Sequence, residues 1–165
     1  MFQEMRRQDR QLTRAETEEI LAGGLYGVLS INAGDDYAYG VPFSYVYRAN
    51  RIYLHCAPEG KKLTLMRRSN QVSFCVVLEA EPLPQKYSMK YRSAMAFGKA
   101  VEITDNQEKL AALIALVEKY YTDPDHIEQG KVKAAESLHK TLVLRIDVDH
   151  MTGKIRWKTH VLADR

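Results

Sequence analysis

Hydrophobic and polar residues alternate along several stretches of the chain, and this pattern predicts strands. Between residues 37 and 47 the bulky side chains fall on odd positions, from Tyr37 to Tyr47, while the even positions are mostly small. Residues 141–149 alternate in the same way. A period of two places successive side chains on opposite faces of a sheet. Together with shorter apolar runs, the pattern predicts strands over 25–31, 37–47, 51–56, 71–78, 91–103 and 141–149, with a further short one over 155–158.

Two capping patterns predict where the longer helices begin. Thr13 is followed by Glu16, and Asp105 by Glu108, which is the spacing at which a side chain accepts from the third helical amide. Gly23 then ends the first helix. The second helix carries an apolar stripe with helical spacing, and the segment 122–126 (TDPDH) is predicted to stop it. Two weaker helices are predicted over 59–69 and 131–139.

Proline and glycine positions predict breaks in the strands. Pro42 cannot donate to a ladder, so the second strand is expected at an edge or bulge there. Two prolines in 79–85 predict an irregular segment. Gly98 predicts a bulge or a close backbone approach, and "MTGK" (151–154) predicts a turn that separates the last two strands.

The order of these elements favours an antiparallel barrel. The first three strands are joined by connections that are too short for parallel crossovers, and no G-x-G-x-x-G motif is present. The chain has 165 residues, of which 45% are hydrophobic and 27% charged, enough for one packed core. We therefore predict one domain over residues 1–165, mainly β (α+β), an antiparallel barrel with flanking helices.

Composition narrows the setting and the class of partner. The formal net charge of +3 is too small to indicate nucleic-acid binding and is compatible with a small anionic ligand. Cys56 and Cys75 form no CxxC motif, so free thiols in a reducing compartment are expected. No apolar run reaches the roughly 18 residues of a membrane span, and the polar N-terminus lacks the apolar region of a signal peptide. These features predict a cytoplasmic protein without membrane or nucleic-acid partners.

The segment "IYLHCAPEGKKL" (52–63) concentrates residues that could carry chemistry. His55 and Cys56 are adjacent on a predicted strand, so their side chains point to opposite faces. They are therefore not expected to bind one metal ion or to act together as a nucleophile and its base. The other histidines show no HxxH or HxxxH spacing, and we predict no metal site.

A phosphate site fits the same segment better. Gly60 precedes Lys61 and Lys62 at the predicted start of a helix. The first amides of a helix lack internal acceptors and carry partial positive charge, which favours phosphate, and lysine adds full charge. The alternative is that both lysines are ordinary solvated side chains and Gly60 only turns the chain. The segment by itself leaves both interpretations open.

Several segments, taken in order, resemble the pyridoxamine 5'-phosphate oxidase-like FMN-binding split barrels, and within them the nitroimidazole-resistance (Nim-type) group. The most specific is "RIYLHCAPEGKKLTLMRRSNQVSFCV", which is similar to that group's aromatic-x-His-x-Ala-x-x-Gly-Lys-Lys run. The resemblance covers roughly residues 5–158. It implies a six-stranded antiparallel split β-barrel that forms a homodimer, with FMN at the dimer interface.

The resemblance also implies a set of cofactor-binding residues. Lys61 and Lys62, preceded by Gly60, would hold the phosphate, and His55 would flank the ring or the ribityl chain. The other implied contacts are Val41, Pro42, Phe43, Ser44, Ala57, Ser73, Phe74, Tyr91 and Ser93, the last four from the partner subunit or the same chain. For Phe43, Phe74 and Tyr91 a purely structural role in the core or the interface is an open alternative. Trp157 is a weaker candidate for stacking at the pocket edge.

The implied function is an FMN-dependent oxidoreductase that reduces a small organic acceptor similar to a nitroimidazole or nitroaromatic compound. No acid–base pair or triad stands out, as expected where a cofactor carries the chemistry, so no catalytic residue is assigned. Two alternatives stay open: a non-enzymatic flavin or haem binder or sensor, and a pyridoxamine-phosphate oxidase. FAD, haem and a deazaflavin are alternatives to FMN.

Overall fold

Seven strands and four helices make up the described part of the chain. The computed structural model describes residues 2–32, 34 and 37–157. The helices are α1 (Arg14–Gly23), α2 (Lys61–Arg68), α3 (Asn106–Tyr120) and α4 (Pro124–Ser137). The strands are β1 (Gly27–Ile31), β2 (Tyr39–Phe43), β3 (Tyr45–Arg48), β4 (Arg51–Cys56), β5 (Gln71–Leu83), β6 (Ser88–Glu102) and β7 (Leu142–Arg156).

All seven strands pair antiparallel in one sheet with the order β2-β1-β5-β6-β7-β4-β3. The two edge strands, β2 and β3, are consecutive in the chain and are separated only by Ser44. The sheet must therefore curl until its two edges meet at this residue. This confirms the predicted mainly β split barrel. The strand predicted over 37–47 is divided at Ser44, which is why the sheet has seven strands and not six.

The inner face of the curled sheet forms the main hydrophobic core. Leu29, Phe74 and Ala96 lie opposite one another on β1, β5 and β6, and all three are fully buried. The Tyr45 ring meets the Phe74 ring edge-on, with centroids 4.8 Å apart. Helices α1 and α2 add buried side chains to this core.

The outer face of the sheet is divided into two halves. Over β3, β4 and β7, which we call the covered half, helix α3 packs Leu113 and Leu116 against the outward-facing Val46 and Val143. Helix α4 lies on α3, and a Cβ at Gly130 would clash with Val117. Glycine at this position therefore permits the close approach of the two helices.

Over β2, β1, β5 and β6, which we call the open half, the outward side chains of β2, β1 and β5 join neither hydrophobic cluster of the described residues, and on β6 only Val101, near the end of the strand, packs against the cluster under α3. Val28, Cys75 and Met95 occupy one row across β1, β5 and β6 and are half-buried. Val77, further along β5, is 52% exposed. The open half is thus a largely apolar sheet face without a helix on it.

Local predictions were confirmed where a residue has one dominant interaction. The Thr13–Glu16 capping box is complete at the start of α1. Asp105 accepts from the Glu108 amide at 2.7 Å, although the Glu108 carboxylate binds Arg145 instead of closing the box. The sheet register shifts between Phe97 and Gly98, where a Cβ would collide with the Asp147 carbonyl, so the bulge and the close approach are both present.

Two predictions about breaks were wrong, and a third was correct but incomplete. Strand β5 continues through Pro82, which pairs with Met89 on β6. Beyond Cys75 no other described strand pairs with β5, so this part of the strand has a free edge on which proline is tolerated. "MTGK" lies inside β7, because Gly153 is small enough for Thr17 of α1 to pack against it. The segment 122–126 does stop α3, which ends at Tyr120, but it also begins α4. Asp123 accepts from the His126 amide, and Pro124 is well suited to the first helical position.

Candidate functional site

The end of β4 separates His55 from Cys56, as strand geometry predicted. His55 lies opposite Val143 on the outward face of the sheet, whereas Cys56 packs against the inner core. Desolvation lowers the pKa of His55 below its usual value, so its imidazole is neutral at neutral pH. Desolvation also raises the pKa of the Cys56 thiol, partly offset by the nearby Lys62 charge. These two side chains are not arranged as a catalytic pair, and in the described ranges no three His, Cys, Asp or Glu side chains could hold a metal ion.

The loop after β4 leads into a helix start with two lysines. Gly60 has φ +127° and ψ 163° and is the N-cap of α2; it provides no side-chain cap. Its positive φ is a conformation that side chains rarely adopt. The Gly60 carbonyl accepts from Leu63 and more weakly from Thr64, which leaves the first amides of α2 without an acceptor inside the helix.

Both lysines lie close to this helix start. The Lys61 ammonium is 5.6 Å from the centroid of the Tyr39 ring on β2. The Lys62 ammonium lies 3.5 Å from where a Cβ at Gly60 would be. Two positive charges, helix amides and a glycine backbone therefore meet where β4 ends. Such a set of donors suits a phosphate group.

The bend between β2 and β3 brings Ser44 beside His55, where both line one cavity. Tyr45 pairs with Leu54, so Ser44 is the next residue toward His55 along these strands. Pro42 and Ser44 are exposed, whereas Val41 and Phe43 pack partly buried against the core. Of the predicted run 41–44, only these two outward residues can offer side chains to a ligand on the outer face.

A cavity opens beside His55, under helices α3 and α4. Its volume is about 760 Å³, within the range of small-molecule sites. Its apolar wall is formed by Leu113, Leu116, Val117 and Ala134, and its polar rim includes His126, Gln129 and Lys133. None of the described residues that line it is Asp or Glu. The cavity thus suits a small, largely apolar ligand that is neutral or anionic.

Sequence reasoning missed the α4 side of this cavity. The Asp-Pro pair at 123–124, which resembled a stop, was the available signal for a helix start. Thr141 and Ser137 line the cavity where α4 leads into β7. No local pattern in the sequence places these hydroxyls opposite His55, because the arrangement depends on how α4 folds back over α3.

The predicted cofactor residues fall into separate places in one chain. Ser44, His55, Ala57, Gly60, Lys61 and Lys62 lie around the end of β4. Ser73 and Ser93 face outward on the open half, and Tyr91 lies opposite Arg156 on β7. Phe74 is fully buried in the core, where it contacts Tyr45. This burial agrees with the structural alternative for Phe74, and its contact with a cofactor stays a prediction.

No helix in the described ranges has both the length and the hydrophobicity that a bilayer span requires. The model of a protein family described as pyridoxamine 5'-phosphate oxidase matches residues 13–155. A comparison with curated proteins finds no match.

Three solved structures illustrate the similarity. The first is a candidate 5-nitroimidazole antibiotic resistance protein from Bacteroides thetaiotaomicron, with 28% identity, a TM-score of 0.74, and coverage of 88% of this chain and 86% of that one. An FAD-binding protein from Mesorhizobium loti has 21% identity, a TM-score of 0.67 and coverage of 90% and 98%. An FAD and haem binding protein from Mycobacterium smegmatis has 16% identity, a TM-score of 0.69 and coverage of 90% and 74%. The last two share the fold.

Proposed function

The chain belongs to the pyridoxamine 5'-phosphate oxidase family, and we propose that it binds FMN and uses it to reduce a small organic acceptor. The observation that carries this proposal is the helix start at Gly60, Lys61 and Lys62, which follows the end of β4, where His55 and Ser44 line one cavity. Two of the similar folds belong to proteins that bind FAD, which supports a flavin in general. A cytoplasmic setting is part of the proposal, since both cysteines are free thiols.

The helix start is proposed to hold the flavin phosphate. An FMN phosphate carries close to two negative charges, and removing it from water requires cations and amide donors. Lys61 and Lys62 would provide the charge, and the first amides of α2 the directional hydrogen bonds. Gly60 would keep the backbone accessible, because no side chain stands between the phosphate and these amides.

The outward residues of the β2–β3 bend and of β4 are proposed to position the ring. Pro42 and Ser44 present small groups to the outer face, and a flat apolar ring packs well on such a surface. His55, neutral because desolvation lowers its pKa, would offer a hydrogen bond without adding charge. When bound, the flavin supplies the redox chemistry; the protein binds it, orients it and excludes water.

The cavity under α3 and α4 is proposed to receive the electron acceptor. It adjoins His55 and is lined by apolar side chains with hydroxyl and histidine groups at its edge. A nitroaromatic compound fits this lining, because it has a flat apolar body and hydrogen-bond acceptors but no positive charge. The 28% identity to the candidate 5-nitroimidazole antibiotic resistance protein favours the same class.

A homodimer with the flavin at its interface completes the proposal. The open half exposes an apolar sheet face, including Val77 at 52% exposure, and apolar faces of this kind favour burial against a partner. Ser73, Ser93 and Tyr91 lie away from the helix start within one chain, so they would reach the flavin of the partner subunit.

The spectrum of the purified protein tests the proposal first. We expect flavin absorbance at about one flavin per chain, with FMN and not FAD or haem released on denaturation, and many turnovers of bound flavin with NAD(P)H and a nitroaromatic acceptor. A colourless protein that takes up no FMN on titration would exclude the proposal. Stoichiometric reduction without turnover would favour the flavin-binding or sensing alternative, and turnover of pyridoxamine phosphate with peroxide release would favour the oxidase alternative.

A paired substitution tests the phosphate site. Charge-assisted hydrogen bonds contribute about 1.5–3 kcal/mol each, so Lys61→Ala with Lys62→Ala should weaken FMN binding at least about tenfold in a fluorescence titration. Arg68→Ala, at the other end of the same helix, is the control and should leave the FMN affinity unchanged. Equal FMN affinity in the lysine double variant and the wild type would place the phosphate elsewhere.

A further inference from the structure

An aromatic cluster lies on the outward face of the sheet where β6 and β7 pair. Phe97 of β6 lies opposite His150 of β7. The Phe2 ring, from the N-terminal segment, stacks on the His150 ring with centroids 4.4 Å apart, and its centroid is 5.4 Å from that of Phe97. Phe2 and Phe97 form the aromatic wall of a cavity of about 470 Å³, which we call the Phe2 cavity.

The other walls of the Phe2 cavity are polar and carry no positive charge. Ser30 and Ser73 lie opposite one another on β1 and β5, in the same row across the sheet as Phe97. Asn32 and Gln71 add side-chain amides near the ends of these two strands. None of the described lining residues is Lys, Arg or His. Hydroxyl and amide oxygens accept hydrogen bonds, so this lining suits a ligand that donates them.

Asp149 is the single charged residue among the described residues that line the Phe2 cavity. It is the extra residue of the β6–β7 bulge, because Phe97 pairs with His150 but Gly98 pairs with Val148. Val148 is buried in the core, whereas Asp149 is exposed. A bulge changes the direction of a side chain relative to a regular strand. Here it places a carboxylate beside an aromatic wall.

The Asp149 carboxylate has no compensating cation in residues 2–32, 34 and 37–157, where it forms no ion pair. Two arginines of the neighbouring part of the sheet, Arg51 and Arg145, bind the Asp147 carboxylate instead, at 3.2 and 2.8 Å. An uncompensated carboxylate attracts a positively charged ligand, and the attraction is stronger where protein atoms replace water.

We propose that the Phe2 cavity binds a primary arylalkylamine, a small ammonium ion with an aromatic body, with its ammonium on Asp149 and its ring against Phe2 and Phe97. A primary ammonium donates three hydrogen bonds, and the bond to a carboxylate is charge-assisted. Aromatic faces attract both a cation and another aromatic ring. The volume of about 470 Å³ lies within the range of small-molecule sites.

This site is separate from the sites of the proposed flavin function. The Phe2 cavity and the cavity beside His55 share no described lining residue. The row Ser30, Ser73 and Phe97 is the next outward row after Val28, Cys75 and Met95, so the cavity adjoins the proposed dimer face. The contacts proposed for the amine come from Phe2, Phe97 and Asp149, none of which is assigned to the flavin. The inference therefore goes beyond the proposed flavin function and does not depend on it.

Calorimetric titration of the purified protein, in whatever flavin state it is isolated, tests the proposal with three probes: 2-phenylethylamine, 2-phenylethanol and ethylamine. The alcohol keeps the aromatic body without the charge, and ethylamine keeps the charge without the ring. We expect 2-phenylethylamine to bind at least about tenfold more tightly than either of the other two. No detectable binding of 2-phenylethylamine, or an affinity equal to that of the alcohol or of ethylamine, would overturn the proposal.

Variants locate the binding. Asp149→Asn removes the charge and keeps the shape of the side chain, and it should weaken 2-phenylethylamine binding at least about tenfold. Asp125→Asn, at an exposed carboxylate in the first turn of α4, is the matched control and should leave the affinity unchanged. Equal affinities in Asp149→Asn and the wild type would overturn the inference.

The aromatic wall is tested by Phe97→Leu, which should also weaken 2-phenylethylamine binding at least about tenfold. Circular dichroism and thermal unfolding establish that the variant is folded. If it is not, Phe2→Leu replaces it, because Phe2 is 48% exposed and lies in the N-terminal segment. Binding that depends on Asp149 but is unchanged when the aromatic side chain is replaced would overturn the proposed arylalkylamine class.

Discussion

The covered and open halves of the same sheet differ in whether a helix packs on their outward side chains. On the covered half, α3 buries Val46 and Val143 beneath Leu113 and Leu116. On the open half, a row of similar side chains, Val28, Cys75 and Met95, has no helix on it. Both halves are outer faces of one antiparallel barrel, and both carry apolar outward side chains. The sequence of the strands therefore does not explain why a helix covers one face and not the other.

This difference indicates that one half of the sheet contributes to the stability of the single chain, whereas the other half is available for association. The covered half completes its packing within one chain and also forms the cavity beside His55. The open half carries no helix among the described residues, and this uncovered apolar face is the physical basis of the proposed homodimer. Substitutions on the covered half should therefore change the free energy of unfolding, and substitutions on the open half should change the affinity of self-association.

The largest expected effect is on the covered half. Leu116→Ala should lower the free energy of unfolding by about 2–5 kcal/mol, because it leaves a void between α3 and the sheet. Urea denaturation followed by circular dichroism measures this change. Leu25→Ala, at a side chain that is 72% exposed, should change the stability by less than about 0.5 kcal/mol. Similar losses in the two variants would contradict the packing described for α3.

Met95→Glu tests the open half. We expect a charge in this half-buried row to weaken self-association at least about a hundredfold, since two copies would bring like charges together. Analytical ultracentrifugation should then give the 18.9 kDa monomer. Val132→Glu, on a solvent-facing part of α4 with 58% exposure, is the matched control and should leave the assembly intact. If Met95→Glu self-associates as the wild type does, the open half is not the dimer interface.

Lys119 gives a smaller effect that depends on pH. Its ammonium lies 3.7 Å from the centroid of the Tyr45 ring and has no hydrogen-bond partner among the described residues. Desolvation lowers its pKa to about 8 in the folded chain, below the ordinary value of 10.5. The unfolded chain therefore binds more protons between these two values, so wild-type stability should rise as the pH increases from about 7 to about 9.

Lys119→Met removes this titration. We expect the variant to be more stable than the wild type at about pH 7, by about 1 kcal/mol, and its stability to change less between the two pH values. The midpoints of urea unfolding of the wild type and of Lys119→Met, at about pH 7 and about pH 9, measure both effects. A wild type whose stability is the same at both would mean that the Lys119 ammonium is hydrated in solution.

The smallest expected effect is in thiol reactivity. Cys75 faces outward on the open half, whereas Cys56 packs against the inner core. Desolvation raises the pKa of the Cys75 thiol, and a partner chain would cover it further. In Met95→Glu, labelling of Cys75 by a thiol reagent should become at least about tenfold faster, with Cys56 unchanged, as peptide mass spectrometry can follow. Equal acceleration at both sites would indicate general loosening of the fold.

The sequence was most informative where one local interaction decides the outcome. Thr13 and Asp105 cap helices, and the alternation at His55 and Cys56 fixes opposite faces. Predictions from the sequence were wrong where a residue has a long-range role. Gly153 was predicted to turn the chain, but it lies within a strand and leaves room for Thr17 of α1. Pro82 was predicted to break the chain, but it lies in the part of β5 that pairs only with β6. These contacts join residues more than a hundred positions apart, or depend on which strand edge is unpaired.

In the candidate site, too, features set by local sequence were predicted and features set by long-range packing were not. The helix start at Gly60, Lys61 and Lys62 was predicted from one short segment and lies where it was expected. Its role in binding FMN stays a prediction. The sequence left open whether Phe74 lies in the core, and it did not predict the cavity wall on α4, because both depend on how separate elements pack against one another.

The division of one strand at Ser44 also has a consequence during synthesis. The β3–β4 hairpin ends at Cys56, but the strand that pairs with β4 begins at Leu142, 86 residues later. At about 5–20 residues per second, a ribosome needs roughly 4–17 s to supply that partner. Throughout this interval β4 has an unpaired edge, and the barrel closes only after β7 has left the exit tunnel. Between these two events the nascent chain exposes a strand edge, a feature that favours aggregation.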